Sequence, residues 1–342
     1  MVQAQTEELR QRATAMERQA VLAVTHDRLT ELPTRGVFID DLDRAILTQD
    51  GQASLAVLMV TAENFREVQE ILGHELTDGL IRSFAQRLQR WTAAPDRQIA
   101  RIDTHSFAIR MQCDGSRAGA ERVVRELIRS LERSFNVGDL QLTLHPAVGV
   151  AFYPEHAEDA DSLLQRATVA LVNAGRSASG ITVYAPVMEE RGSRQLTLMA
   201  DLKRAIERDE LMLRFQPKVA LADQRLVGVE ALVRWEHRKH GFLSPDEFIG
   251  LAERSRMIGL LTQWVLRTAF RQARQWRQQG FDFKVAINLS ARDLVNPDLP
   301  DLIDQAVGET GIDTAWIVLE ITESSVMDEP ARALAVLERL KG

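Results

Sequence analysis

One cysteine in 342 residues, Cys113, rules out an internal disulfide, so the chain must be held by a buried core of its own. Long apolar runs are also missing. The longest, Leu55-Ala56-Val57-Leu58-Met59-Val60, falls well short of the roughly 18 residues that cross a bilayer. The first 25 residues are polar and charged and lack the apolar stretch and small-residue cleavage site of a secretory signal. The expected location is therefore the cytoplasm, with no membrane segment in this chain. Excess basic charge is absent as well: 42 Lys and Arg against 49 Asp and Glu leave a net charge of −7. That excludes a general electrostatic grip on a nucleic-acid polymer. With 45% hydrophobic and 27% charged residues, the composition is that of a globular chain and excludes disorder and collagen. At about 100 to 200 residues per domain, the length predicts two domains or three small ones.

Leu9, Ala13, Met16, Ala20 and Ala23 recur at alternating spacings of four and three, which predicts a helix over residues 1–25 with one small, apolar stripe. Two heptads leave open whether it packs on its own domain or pairs with a second copy as a signalling helix; a homodimer is expected. From Pro33 the pattern alternates. Helices are expected over 37–47, 64–91, 118–135 and 161–173, and strands over 55–60, 99–111, 140–152 and 181–184. This predicts one α/β domain over 26–186. The polar stretch 187–194 reads as a linker, and a second domain follows over 195–342. There, strands over 211–221, 226–235, 284–290 and 316–322 are expected, the last three separated by helices as in β/α units. The fold class expected is α/β and α+β. The second domain is shorter than the roughly 250 residues of a full (β/α)8 barrel.

In that second domain Glu230, Asn288 and Glu320 lie toward the C-terminal ends of three strands. Such ends converge on the active face of a β/α barrel. Two carboxylates and an amide oxygen form a hard donor set suited to Mg²⁺ or Mn²⁺, and the absence of cysteine or histidine disfavours structural zinc. The competing reading is three solvated strand ends. His237, Arg238 and His240 read as a small basic, solvated loop beside this face, and Trp264 and Trp276 as outer-layer packing.

The runs Phe215-Gln216-Pro217, Val229-Glu230-Ala231-Leu232-Val233-Arg234-Trp235, Ile287-Asn288-Leu289-Ser290 and Leu319-Glu320-Ile321-Thr322-Glu323-Ser324 resemble, in order and spacing, the EAL family of cyclic di-GMP phosphodiesterases. The resemblance implies a TIM-type barrel, of which this chain carries the first half. It also implies two Mg²⁺ or Mn²⁺ ions and hydrolysis of cyclic di-GMP to linear pGpG. It makes Glu230, Asn288 and Glu320 metal ligands, gives Gln216 and Arg234 contacts to the dinucleotide, and makes Glu323 the catalytic-site residue bracing the loop beside the metals. The family's aspartate pair and catalytic lysine would fall beyond Gly342. The expectation is a piece of a longer protein that is inactive alone.

The first domain carries His26-Asp27-Arg28-Leu29-Thr30-Glu31-Leu32-Pro33-Thr34-Arg35, Leu72-Gly73-His74 with Asp78, and Val148-Gly149-Val150-Ala151-Phe152-Tyr153-Pro154. These resemble the GGDEF diguanylate cyclases, which implies a nucleotide-cyclase-like fold. The signature itself is replaced by Asp103-Thr104-His105-Ser106-Phe107, which removes both glycines and both acidic residues. The remaining metal-aspartate position is Thr61, the guanine-contacting position Gln69, the triphosphate-lysine position Gly175, and the feedback-site pattern falls on Gln98 and Arg101. His105 reads as a turn histidine without chemistry. The resemblance thus implies a degenerate regulatory domain, with GTP as the ligand it retains if it retains one. Three functions compete: a cyclic di-GMP phosphodiesterase with an inactive GGDEF-like domain, a non-enzymatic nucleotide receptor or scaffold, and a diguanylate cyclase, which the lost signature disfavours.

Overall fold

The computed structural model describes residues 22, 24–48, 54–94, 96–113, 117–175, 177–321 and 329–341. The helix expected over 1–25 lies almost wholly outside the described residues, as does Glu323. The chain divides into two units, Met1–Glu190 and Arg191–Gly342.

The first unit runs α1 (Arg35–Leu47), β1 (Ser54–Ala62), α2 (Phe65–Trp91), β2 (Arg97–Arg101), β3 (Phe107–Cys113), α3 (Arg117–Leu131), β4 (Phe135–Val137), β5 (Leu140–Leu142), β6 (Pro146–Tyr153), α4 (Ala160–Ala174) and β7 (Ile181–Val183). Its main sheet has the order β2-β3-β1-β6-β7; β1 is antiparallel to β3 and β6, and β7 is parallel to β6. Every residue from Leu55 to Val60 is buried, because helices cover both faces of the central strand. Strand alternation sends Ala56, Leu58 and Val60 into a core with Phe65, Leu80, Phe84 and Leu127, and Leu55, Val57 and Met59 into a second with Phe38, Leu42, Leu163 and Leu164. Gly149 of β6 is where α4 lies closest: a Cβ there would stand 2.1 Å from Leu171 N and 2.2 Å from Ala167 O.

Helix α5 (Val187–Glu207) begins inside the segment expected as a linker, so residues 187–194 form its first two turns. The second unit continues with β8 (Leu211–Val219), β9 (Leu226–His237), β10 (Gly241–Leu243), α6 (Pro245–Arg254), α7 (Ile258–Gln278), β11 (Lys284–Asn288), α8 (Ala291–Leu294), α9 (Leu299–Thr310), β12 (Ile317–Glu320) and α10 (Pro330–Lys341). β8 and β9 form an antiparallel pair, and β9, β11 and β12 are parallel neighbours. One face of this sheet is apolar. Val229, Ala231 and Trp235 of β9 and Val285 and Ile287 of β11 pack with Phe248, Leu266 and Phe270 of the helices, and Phe215 of β8 meets the Trp276 ring edge-on at 4.8 Å. Because side chains alternate along a strand, the opposite face carries Gln216 and Lys218 of β8, Glu230 and Arg234 of β9, Asn288 of β11 and Glu320 of β12.

Candidate carboxylate site on the second sheet

Register determines what meets on the polar face. Gln216 lies directly opposite Glu230 across β8 and β9, Glu230 opposite Ala286, and Asn288 opposite Glu320. The side chains complete the convergence. Asn288 Nδ2 donates to Glu230 Oε1 at 2.7 Å, Lys218 Nζ donates to Glu320 Oε1, and the same ammonium lies 3.8 Å from Glu230 Oε2. Flat strands sit about 4.8 Å apart, so β8 and β12 would be separated by roughly 14 Å. Contact between Lys218 and Glu320 across that interval requires the sheet to curl, with its polar face inward.

The three residues expected from sequence to share a cation therefore do converge, about an ammonium. Among the described residues no three His, Cys, Asp or Glu side chains form a metal-binding cluster; the donor set here is two carboxylates and one amide. Its chemistry fits a hard cation: all the candidate donor atoms are oxygens, and the two carboxylates already collect one positive charge between them. The hydrogen bond to Glu320 is the largest influence raising the Lys218 pKa, and the charges of Glu320 and Glu230 add to it against desolvation.

Gln216 is exposed on β8 beside Glu230. Arg234 donates to the Val233 carbonyl at 2.9 Å and, with Asn288, lines a cavity of about 640 Å³ whose walls include Pro245, Ile249, Leu261 and Asp293. That volume falls within the range of small-molecule sites. Asp293 is buried at its edge. Burial raises its pKa, and this is only partly opposed by hydrogen bonds from the Ser290 backbone and the Thr262 and Ser290 hydroxyls.

In the loop expected to be solvated, Arg238 and Lys239 are exposed, but His237 is not. His237 is buried at the end of β9, edge-on to Trp235 at 5.1 Å. Its Nδ1 accepts from the backbone N–H groups of Lys239 and His240, so the proton sits on Nε2, which donates to Asp201 Oδ2 at 2.9 Å. Burial, followed by nearby Arg194 and Arg204, lowers its pKa. The imidazole thus holds the turn together as a neutral group.

In the first unit the turn between β2 and β3 is closed by its own side chains. Asp103 Oδ1 accepts from the N–H groups of His105 and Ser106, at 2.9 and 2.8 Å. Thr61 Oγ1 donates to the His105 carbonyl at 2.9 Å. Arg101 donates to the Asp103 and Thr104 carbonyls and to Asp27 Oδ1. That same carboxylate oxygen accepts from Leu29 N, Thr30 N and Thr30 Oγ1. Burial alone would raise the Asp27 pKa, but the hydrogen bonds from Arg101 and Thr30 outweigh it and hold the carboxyl below its ordinary value. His105 stacks on Phe65 at 5.5 Å. Its Nε2 is buried without a hydrogen-bond partner among the described residues, and desolvation lowers its pKa. Phe107 is fully buried against Phe84. Thr104 turns its carbonyl to Arg101, and Glu63 fills the space above Gly175, where a Cβ would fall 1.6 Å from its Oε1.

Sequence reasoning missed Lys218. The available signal was strand periodicity, since Lys218 lies two residues beyond Gln216 and therefore on the same face.

Together the units define a two-part α/β protein: a five-stranded sheet between helices, and a β/α sheet with carboxylates on its concave face. Residues 24–180 match the diguanylate cyclase GGDEF domain and residues 199–342 the EAL domain, so the chain carries these two domains in tandem. Two relatives illustrate this. The bifunctional diguanylate cyclase/cyclic di-GMP phosphodiesterase MucR of Pseudomonas aeruginosa is 32% identical over 327 residues, 94% of this chain and 47% of MucR. The cyclic di-GMP phosphodiesterase PdeR of Escherichia coli is 30% identical over 326 residues, 95% of this chain and 49% of PdeR. The chain thus spans about half the length of these curated relatives. A solved S helix-GGDEF-EAL structure of Vibrio cholerae LapD, bound to c-di-GMP, shares the fold at a TM-score of 0.56 and 19% identity, covering 96% of this chain and 77% of that one. No described helix is long and apolar enough to cross a membrane.

Proposed function

We propose that the second unit binds cyclic di-GMP on its concave face together with Mg²⁺ or Mn²⁺ and serves hydrolysis of one phosphodiester to linear pGpG, while the first unit is a non-catalytic regulatory module. The convergence of Glu230, Asn288 and Glu320 from three adjacent strands carries the reading. In it, these three residues hold the ion. A bound divalent ion polarises a phosphoryl oxygen and lowers the pKa of a coordinated water. The hydrolysis adds water to phosphorus, breaks the P–O3′ bond and returns a proton to the departing 3′ oxygen. Arg234, on the cavity wall, offers a planar guanidinium to a non-bridging phosphate oxygen, and the exposed Gln216 amide orients the dinucleotide from the neighbouring strand. A dinucleotide made from GTP is an intracellular pool, which puts the site in the cytoplasm.

The regulatory reading of the first unit is supported by the turn at 103–106, where Asp103 and Thr61 are committed to backbone hydrogen bonds rather than directed at a nucleotide or ion. Calorimetric titration of the chain with cyclic di-GMP in Mn²⁺ tests the proposal. Binding is expected to be abolished by Glu230→Gln and weakened about tenfold by Arg234→Ala, the loss of one charge-assisted phosphate contact. Absence of binding by the unaltered chain would overturn it. Appearance of pGpG with the full-length protein distinguishes turnover from a receptor that only binds.

A further inference from the structure

Lys218 takes part in none of the roles above, yet its ammonium occupies the centre of the donor set. Two carboxylates lie against it: Glu320 as a direct hydrogen-bond acceptor and Glu230 at 3.8 Å. Its side chain keeps 38% of its surface exposed. The head is therefore not sealed in and can swing away on its flexible four-carbon stem. An ion coordinated by the same oxygens would sit about 2.0–2.2 Å from them. That position overlaps the space of an ammonium already bonded to one of those oxygens, and like charges so close repel. Ammonium and divalent ion therefore exclude one another.

We infer that Lys218 is the resident counter-cation of this site: it holds Glu230 and Glu320 together in the metal-free protein and must be displaced when a divalent ion enters. The inference rests on the reading of these carboxylates as metal ligands. Without Lys218, two carboxylates would face each other across the concave face with no cation between them, which disfavours the empty site. With it, the empty site is neutralised and the ion must compete. Lys218 thereby sets how much divalent ion the site requires.

Mn²⁺ titration of the full chain, followed by loss of the free-ion electron paramagnetic resonance signal, tests this without reference to turnover. Lys218→Met, which keeps the length and removes the charge, is expected to tighten Mn²⁺ binding about tenfold, one decade in Kd. It should also lower the metal-free unfolding temperature, and Mn²⁺ should restore it. Lys218→Gln should follow Lys218→Met, and Lys218→Arg, which retains the charge, should bind no more tightly than the unaltered chain. Equal or weaker binding by both neutral variants would overturn the inference. Glu230→Gln separates the two readings. If it abolishes Mn²⁺ binding while the neutral Lys218 variants leave the affinity unchanged, the metal site stands and the counter-cation role falls. If the unaltered and neutral-variant chains bind no Mn²⁺, both fall.

Discussion

In the first unit a guanidinium fills the space between the Asp27 carboxylate and the carbonyls of the 103–106 turn; in the second an ammonium fills the space between Glu230 and Glu320. The difference lies in exposure. The Arg101 side chain is only 9% exposed and makes three hydrogen bonds in fixed directions, one of them also an ion pair, whereas Lys218 is 38% exposed on a flexible stem. The first is a structural staple, the second a removable cation. His237 behaves as a third kind of buried polar group, one kept neutral by its partners. Its folded pKa is lowered, so below about 6.5 the unfolded chain takes up the proton more readily than the folded one. The stability it contributes is fully present above that pH and is lost as pH falls toward and through the lowered folded value. Thermal unfolding of the second unit is therefore expected to shift downward between pH 7.5 and 5.5. In His237→Gln, whose side chain is neutral at every pH, the slope should shrink even though the variant is less stable at pH 7.5. A slope unchanged by the substitution would refute the assignment.

At the scale of elements, alternation and helical periodicity made most of the architecture legible. Both faces of β1 are apolar, the parallel set β9, β11 and β12 is separated by helices, and the two carboxylates and Asn288 fall on one face. Several elements were not legible; the strand expected over 140–152, for one, is two, Leu140–Leu142 and Pro146–Tyr153, with different partners. The helix expected to reach Phe135 stops at Leu131, and Phe135–Val137 pairs instead with Leu140–Leu142 across Gly138-Asp139. Gly138 has φ 59°, suited to a two-residue hairpin turn. The signal was a Gly-Asp pair between short alternating segments, masked by the helical pattern preceding it. The strand expected over 99–111 is likewise two strands, because Asp103 hydrogen-bonds back to the turn rather than extending. The close seat of α4 on β6 was not legible either, since burial at Gly149 follows from packing between distant segments. Gly149→Ala must push Leu171 and Ala167 backbone apart from β6. A loss of about 1–3 kcal/mol, the usual cost of overpacking, is expected in urea unfolding of the first unit. A loss below about 0.5 kcal/mol would show that the contact yields freely.

For the molecule as a whole, the decisive fact is that the buried clusters divide along the same boundary as the chain. Phe65, Leu80 and Phe84 on one face of the first sheet, and Phe38, Leu42 and Leu163 on the other, belong to one unit, and Trp235, Phe248, Leu266 and Phe270 to the next. Each unit has a core large enough to unfold cooperatively. A ligand that binds only the folded form of one unit stabilises that unit according to RT ln(1 + [L]/Kd). Two calorimetric transitions are therefore expected, and Mn²⁺ should raise only the one assigned to the second unit, by about 2.7 kcal/mol at a hundredfold excess over Kd. Leu58→Ala, in the first core, should lower only the other transition, which assigns the two peaks independently of metal. A single transition moved by both the ion and the core substitution would mean that the units unfold as one, and the regulatory reading of the first unit would then have a direct thermodynamic route to the carboxylate site.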